Sequence, residues 1–418
     1  MTLNDLKGKT IAFAASGGLD SCTITRWLSE QGVEVVCFTA DMAQPDETDF
    51  DAIRQRMLAC GATDFVSLPL HDAIAEAGIE AIQAQACYEE YYWNTSSIGR
   101  HVIVAGMIPE MKKRGITTLS HGATGRGNDQ VRFQLIASML APEVQVYAPW
   151  RDEAFLERFR GRSEMIDYCV ERKLPIKATR DAPYSTDANL LGMTHEAGKL
   201  ESLETPSSFV RPGMGVLPVN ARDQPETVSV RFAKGRPVAI NGESVDAFRA
   251  ISIANRIAGH HAVGICHHLV ENRFVGIKSR GVYEAPGMKL LGTCHDYLLQ
   301  LVLDRRAREL YDQLALMLAR QLYQGHGFDV ASQMVREAIR PVSRLVTGTV
   351  KVSLYKGNIA FVSATDVPHS LYSEANSSME AVGEFDHADS EGLLRVLSVS
   401  ARALAAADQV VWAQKHEK

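Results

Sequence analysis

A chain of 418 residues is too long for one ordinary hydrophobic core, so two or three domains are expected. Its 46% hydrophobic and 22% charged content is that of a globular enzyme, and a formal charge of -6 offers no pull toward nucleic acid or anionic membranes. No apolar run approaches the roughly 20 residues of a membrane helix, the start carries no signal-peptide pattern, and seven scattered cysteines without a C-x-x-C pair read as reduced thiols in a cytoplasmic protein.

In chain order, residues 11–15 (Ile-Ala-Phe-Ala-Ala) predict a first strand, and Ile24, Trp27 and Leu28 mark one face of the helix that follows. Residues 33–38 predict a second strand; Phe50, Ile53, Met57 and Cys60 mark the inner face of a second helix. Further strands are expected at 64–68, 116–120 and 144–147. Alternating strands and helices imply parallel pairing and right-handed crossovers, hence a doubly wound α/β sheet with its ligands beyond the carboxyl ends of the strands. From about Asp181 the pattern becomes α+β, so a boundary falls at 180/181. Residues 228–232 and 238–240 flank Gly235-Arg236-Pro237 as a hairpin, and long helices follow around 245–257 and 288–324. Residues 349–355 and 359–362 make a second hairpin about Lys356-Gly357-Asn358. A last helix carries the stripe Leu404, Ala407 and Val411, which fits another subunit or its own domain equally well.

Two segments carry chemistry. Ser16-Gly17-Gly18-Leu19-Asp20-Ser21 lies between the first strand and the first helix, where glycines let the backbone turn and free N–H groups face an anion. Ser16 and Ser21 add hydroxyls, and Asp20 suits either a helix cap or a cation facing phosphates. No lysine follows, so this is not the G-x-x-x-x-G-K-[ST] loop. The second segment runs from His121 through Gly122, Thr124, Arg126, Asn128 and Asp129 to Arg132 and Phe133, again after a strand and into a helix. Asp129 and Arg132 are i, i+3 neighbours. Taken alone, it is also compatible with a helix cap followed by a surface ion pair.

The first string resembles the pyrophosphate loop of the ATP pyrophosphatases, which cleave ATP between its α and β phosphates. The second resembles the argininosuccinate synthase signature, with Arg126 where that family carries Lys. Five further blocks extend the resemblance along the chain: Tyr92-Trp93-Asn94-Thr95-Ser96-Ser97-Ile98-Gly99-Arg100, the stretches beginning Pro183-Tyr184-Ser185 and Thr194-His195-Glu196, and the pair Glu271-Asn272-Arg273-Phe274 and Lys278 to Pro286. The resemblance implies an ATP-pyrophosphatase-like nucleotide domain (1–180), an α+β synthetase domain (181–388) and a C-terminal oligomerisation helix (389–418) of a homotetramer.

It implies ATP, with Mg, on Ala14, Ser16, Gly17, Gly18, Leu19, Asp20, Ser21, Cys22, Ala40 and Gly122. Aspartate would lie on Thr124, Asn128 and Asp129. Citrulline would lie on Tyr92, Ser97, Asn128, Arg132, Ser185, Thr194, Glu271 and Tyr283. Arg132 can grip a carboxylate bidentately and Glu271 can pair with an ammonium. Asp20 and Asp129 are the candidate catalytic carboxylates. The implied reaction adenylates the ureido oxygen of citrulline, after which the aspartate amine displaces AMP. Its base is open between Asp129 and the departing phosphate.

Departures from the family pattern are Cys22 for Ser, Asp41 for Asn and Ala43 for Gly in Ala40-Asp41-Met42-Ala43-Gln44, and His268 for Asp. Cys22 is expected to weaken phosphate binding, Asp41 and Ala43 to affect the nucleotide, and His268 to alter the support of Glu271. These departures leave open a paralogue using another ureido substrate or amine, or a weakly active ligand-binding regulator. His260, His261, His267 and His268 have no zinc-site spacing, so no metal site is assigned to them.

Overall fold

The computed structural model describes residues 1–176, 183–380 and 386–410. Five parallel strands, β1 (Thr10–Ala14), β2 (Glu34–Asp41), β3 (Asp64–Pro69), β4 (Thr118–His121) and β5 (Gln145–Tyr147), pair in the order β3-β2-β1-β4-β5. The crossovers are α1 (Leu19–Glu30), α2 (Phe50–Ala59), α3 (His71–Gln83), α4 (Thr95–Lys113) and α5 (Asp129–Leu140), with α6 (Glu153–Arg158) and α7 (Arg162–Glu171) following. Ile11, Phe13, Val35 and Cys37 point into one fully buried layer with Ile24, Leu28, Ile53 and Met57; Ala12, Val36 and Phe38 point into another with Val104, Met107 and Leu119. Both faces of the central strands are covered, so they read in sequence as continuous apolar runs. The order in which successive strands are added reverses between β1 and β4, and their carboxyl ends leave a crevice there.

Two antiparallel sheets follow. One joins β6 (Ser185–Asn189), β7 (Gly192–Glu196), β11 (His267–Asn272) and β12 (Lys278–Glu284) in the order β11-β12-β7-β6. The other joins β8 (Glu226–Ala233), β9 (Arg236–Ile240), β10 (Glu243–Ser244), β13 (Gly348–Tyr355) and β14 (Asn358–Thr365) in the order β10-β9-β8-β13-β14. Around them lie α8 (Ala247–His260), α9 (Pro286–Val302), α10 (Arg305–Gln324) and α11 (Val330–Leu345). The expected helix over 288–324 is two helices. Leu303 is extended, and the Asp304 carboxylate accepts from the Ala307 N–H at 2.8 Å, capping α10 and stopping α9.

All of this belongs to one compact unit, Met1–His369. A second unit begins at Ser370 and contains α12 (Glu374–Ser377) and α13 (His387–Ala406). The boundary expected at 180/181 lies outside the described residues, as does Val411 of the expected C-terminal stripe.

Candidate active site

The loop between β1 and α1 is built to present N–H groups. Gly17 has φ +74, and a side chain there would strike Ile53 and Arg56 at 2.9 Å. Arg56, buried beneath the loop, donates to the Gly17 carbonyl at 2.8 Å and turns that oxygen inward. The Ser16 N–H donates to Ser21 Oγ at 3.0 Å, which closes the turn. Gly18 is the N-cap of α1 and supplies no side chain, so the first N–H groups of the helix remain open to an anion. Ala14 ends β1, Ala40 is the penultimate residue of β2, and the side chain of Leu19 is in the core. Asp20 accepts from Trp150 Nε1 at 3.0 Å; burial pushes its carboxyl up, and that hydrogen bond only partly opposes it.

The loop after β4 lies across the crevice. His121 is fully buried and held near 3 by burial, hence neutral, and its Nδ1 accepts from the Ala123 N–H at 3.2 Å. Gly122 faces Asp20, whose Cβ would lie 3.4 Å from any Cβ at that position. Asn128 then opens α5, followed by Asp129 and Arg132. Asp129 accepts from Arg132 Nη1 at 2.7 Å and from Arg100 Nε at 2.9 Å, while Arg100 Nη2 donates to Asp187 at 2.7 Å. Burial alone would raise Asp129; the two guanidinium groups overcome it and hold the carboxyl at about 2.

Facing these loops is one surface of the β11-β12-β7-β6 sheet. Its register brings Asp187, Thr194 and Tyr283 abreast, with Ser185 opposite Glu196 two pairs further along, on the same face. Glu271 accepts from Tyr283 Oη at 2.9 Å and from Ser279 Oγ at 3.2 Å. Thr194 Oγ1 is 3.1 Å from Ser96 Oγ, and the Ser96 N–H donates to Tyr92 Oη at 3.0 Å. Arg273 reaches across the cleft, bonding Glu196 at 3.3 Å and the Arg126 carbonyl at 3.0 Å. Desolvation pushes Glu196 up to about 7; Arg273 opposes it, and the charges of Asp129, Glu271 and Asp187 add to it. Part of its side chain still meets solvent at the mouth of the cleft.

Asp20, Tyr92, Gly122, Thr124, Asn128, Asp129, Arg132, Thr194, Glu271 and Tyr283 therefore line one cleft. Ser97 does not: it is fully buried and its hydroxyl donates to the Asn94 carbonyl, while Ser96 faces the cavity. Ser185 stands on the same sheet face at its exposed edge. Ser96, Arg100, Asp187, Glu196 and Arg273 also line the cleft and were given no role from sequence. The T-H-E and E-N-R blocks and the Arg closing the Thr-Ser loop were the available signals.

The departures fall largely outside the cleft. Cys22 is turned into the core, fully buried, with its Sγ 3.8 Å from the Gly17 carbonyl and in contact with the Cys60 thiol; the expected loss of a phosphate donor does not arise at this side chain. Strand alternation places His268 on the face of β11 opposite Glu271, so it does not support that carboxylate. Asp41 accepts from the Ala43 N–H at 3.2 Å and lies 2.6 Å from His71 Nε2. Ala43 has φ +53, a conformation that favours glycine. His261 is paired with Glu226 at 3.0 Å.

Among the described residues, three cavities are larger than this cleft, one of them, of about 550 Å³, an open polar groove at the amino ends of β1 and β4. Another, of about 340 Å³, lies behind the wall formed by Tyr92 and Tyr283; the third, of about 590 Å³, is a largely apolar space between α3, α4 and α10. None gathers the convergent charges of the β1–β4 crevice, and that chemistry outweighs size in locating the site.

Comparison with known proteins gives the family. Residues 10–175 match the family profile described as the arginosuccinate synthase N-terminal HUP domain, and residues 184–404 match the arginosuccinate synthase C-terminal domain. The argininosuccinate synthase of Rhodopirellula baltica is 41% identical over 396 residues, which is 94% of this chain and 97% of the relative. Those of Thermotoga maritima and Xenopus laevis are 37% and 36% identical, over 92% and 93% of this chain and 95% of each relative.

Proposed function

The chain belongs to the argininosuccinate synthase family, and we propose that its ligase reaction takes place in the cleft between the β1 and β4 loops and the β11-β12-β7-β6 sheet. It is an ATP-dependent carbon–nitrogen ligase that condenses citrulline with aspartate and releases AMP and pyrophosphate. The observation that carries the placement is convergence: an anion-binding loop, a clamped carboxylate and a carboxylate-rich sheet face meet at one topological switch point.

The residues divide the work. The N–H groups around Gly17, Gly18 and the start of α1, with the Ser16 and Ser21 hydroxyls, hold the β and γ phosphates. Asp20, which faces Gly122 across the crevice beside the phosphate loop, would hold the Mg of MgATP, since one or two carboxylates with substrate phosphates are the usual ligands of that ion. Glu271, with Glu196 beside it, receives the citrulline ammonium, and Arg132 takes the citrulline carboxylate. Ser96, Thr194 and Tyr283 face the remainder of that substrate, while Ser97 fixes the loop behind it and Ser185 marks the rim. Thr124, Asn128 and Asp129 hold aspartate.

The ureido oxygen of citrulline attacks the α-phosphorus and pyrophosphate leaves. The aspartate amine then attacks the activated ureido carbon and AMP departs. No side chain forms a covalent bond, so the rate comes from alignment and from charge stabilisation at the phosphates. An Asp129 held near 2 is a good seat for the aspartate ammonium and a poor base for its proton. The departing phosphate and Glu196 are the stronger bases in the cleft. A cytoplasmic site of action accords with the free cysteines. A homotetramer would give cover to Leu393, Leu394, Leu397 and Leu404, all exposed on α13.

The test is pyrophosphate release and product mass with MgATP, citrulline and aspartate, omitting each in turn. Argininosuccinate is expected only from the complete mixture. Pyrophosphate release that ignores citrulline would contradict the assignment of the acceptor.

A further inference from the structure

Tyr323 lies near the carboxyl end of α10, is almost fully buried, and lies behind the residues that line the cleft. A phenol has one proton to give and can accept in return, and here both capacities are used between site residues. The hydroxyl accepts from Asn128 Nδ2 at 2.7 Å and donates to Glu271 Oε2; the Asn272 carbonyl, at 3.4 Å, is the longer alternative. The backbone carbonyl of Tyr323 accepts from Arg132 Nε at 2.8 Å, and its ring lies under the same guanidinium, 5.0 Å from centroid to carbon. The other face of the ring stacks on Tyr88, 3.9 Å away and 3° from parallel, and Tyr92 meets it edge-on. One side chain thus touches Asn128 and Arg132 on α5, Glu271 on β11 and Tyr92 before α4.

The proton arrangement follows from this. Because Tyr323 donates to Glu271, Asn128 must turn its NH₂ toward the phenol, and its Oδ1 is then the acceptor for the Phe274 N–H at 2.7 Å. The amide of Asn128 is locked in one orientation, and the carboxylate of Glu271 is held by two tyrosines, Tyr283 on Oε1 and Tyr323 on Oε2. Without the Tyr323 hydroxyl, a buried amide and a buried carboxylate would each lose a partner, leaving Asn128 held only through Phe274 and Glu271 only through Oε1, and the link between them would be gone.

We propose that Tyr323 is a positioning residue for the ligation: its hydroxyl fixes Asn128 and Glu271 against one another and so sets the relative placement of the two amino-acid substrates. The inference rests on the assignment of Glu271 to citrulline and Asn128 to both substrates.

The experiment is steady-state kinetics of the full-length enzyme carrying Tyr323→Phe, with Glu271→Gln and the double variant alongside. Tyr323→Phe keeps the ring and should raise the KM for citrulline about tenfold, the effect of losing one hydrogen bond to a charged group. The KM for ATP should stay within about twofold, which a general loss of structure would not permit. On the Glu271→Gln background the same change should add little, because the effect passes through that carboxylate. An unchanged citrulline KM in Tyr323→Phe, while Glu271→Gln raises it, overturns the role of Tyr323 and leaves the citrulline assignment standing. An unchanged citrulline KM in Glu271→Gln overturns that assignment, and the inference with it. Should Tyr323→Phe not fold, fluorotyrosine placed at position 323 preserves the contacts and makes the hydroxyl more acidic. A shift in citrulline KM without one in ATP KM is then expected, and no shift overturns the proposal.

Discussion

Asp129 dominates the electrostatics of the cleft because two guanidinium groups converge on it, at 2.7 and 2.9 Å. Its carboxyl is lowered from 3.8 to about 2, so the linked stability is complete above the ordinary range and is lost as pH falls through about 2. Asp129→Asn should destabilise the protein by about 3 kcal/mol at neutral pH, since two poorly solvated arginines lose their partner. In denaturant unfolding at stepped pH, the gap to the unmodified protein should narrow between about pH 4 and pH 2; a gap that stays constant there would show that the charge is not the cause. Glu196 has the opposite sign. Its value is raised from 4.5 to about 7, so stability linked to it is full below 4.5 and is lost as pH rises through 7. The profile of kcat/KM for citrulline should carry an ionisation near 7 that Glu196→Gln removes; its persistence in that variant would assign the ionisation elsewhere. Ala43 is a local misfit: a left-handed alanine costs about 1–2 kcal/mol, and glycine returns about 0.4–1 of that through a freer unfolded chain. Ala43→Gly should therefore gain about 0.5 kcal/mol in denaturant unfolding, and a loss would mean that the turn prefers alanine.

Among the elements, the loop from α3 to α4 is the most constrained, with positive φ at Gln85, Glu89, Glu90 and Asn94. Asn94 holds it: fully buried, its amide donates to the carbonyls of Ala86 and Ala319 at 3.2 and 3.1 Å. Asn94→Ala should cost about 2–3 kcal/mol in unfolding measurements and raise the citrulline KM, because Tyr92 and Ser96 flank it. An unchanged KM at reduced stability would separate this loop from the substrate. The same contrast explains what the sequence disclosed. The central strands β1 and β2 were legible as apolar runs, since both their faces are buried. β6, β7, β11 and β12 were not, because the face they turn to the cleft is polar: Ser185-Thr186-Asp187-Ala188-Asn189 offers no apolar alternation to read. The break between α9 and α10 was signalled only by Asp304. Most cleft residues were found through the family blocks; Arg100, Glu196 and Arg273 stood inside those blocks without a role, and Tyr323 stood outside them, because its contacts come from elements distant in sequence.

Across the whole molecule, Met1–His369 forms one compact unit that contains the entire cleft, and the unit from Ser370 carries the exposed leucines of α13. If those leucines build a homotetramer, light scattering should give four chains for the full protein and fewer after deletion of residues 387–418; an unchanged mass would place the contacts elsewhere. In the reaction proposed for the crevice between β1 and β4, the ureido oxygen of citrulline is activated on the α-phosphorus of ATP before aspartate attacks. That claim makes the fate of one oxygen atom decisive. Citrulline labelled with ¹⁸O in its ureido group should be incubated with MgATP, aspartate and the enzyme, and the AMP analysed by mass spectrometry. The account predicts that the label appears in the phosphate of AMP, in step with argininosuccinate. Unlabelled AMP formed alongside argininosuccinate would contradict it.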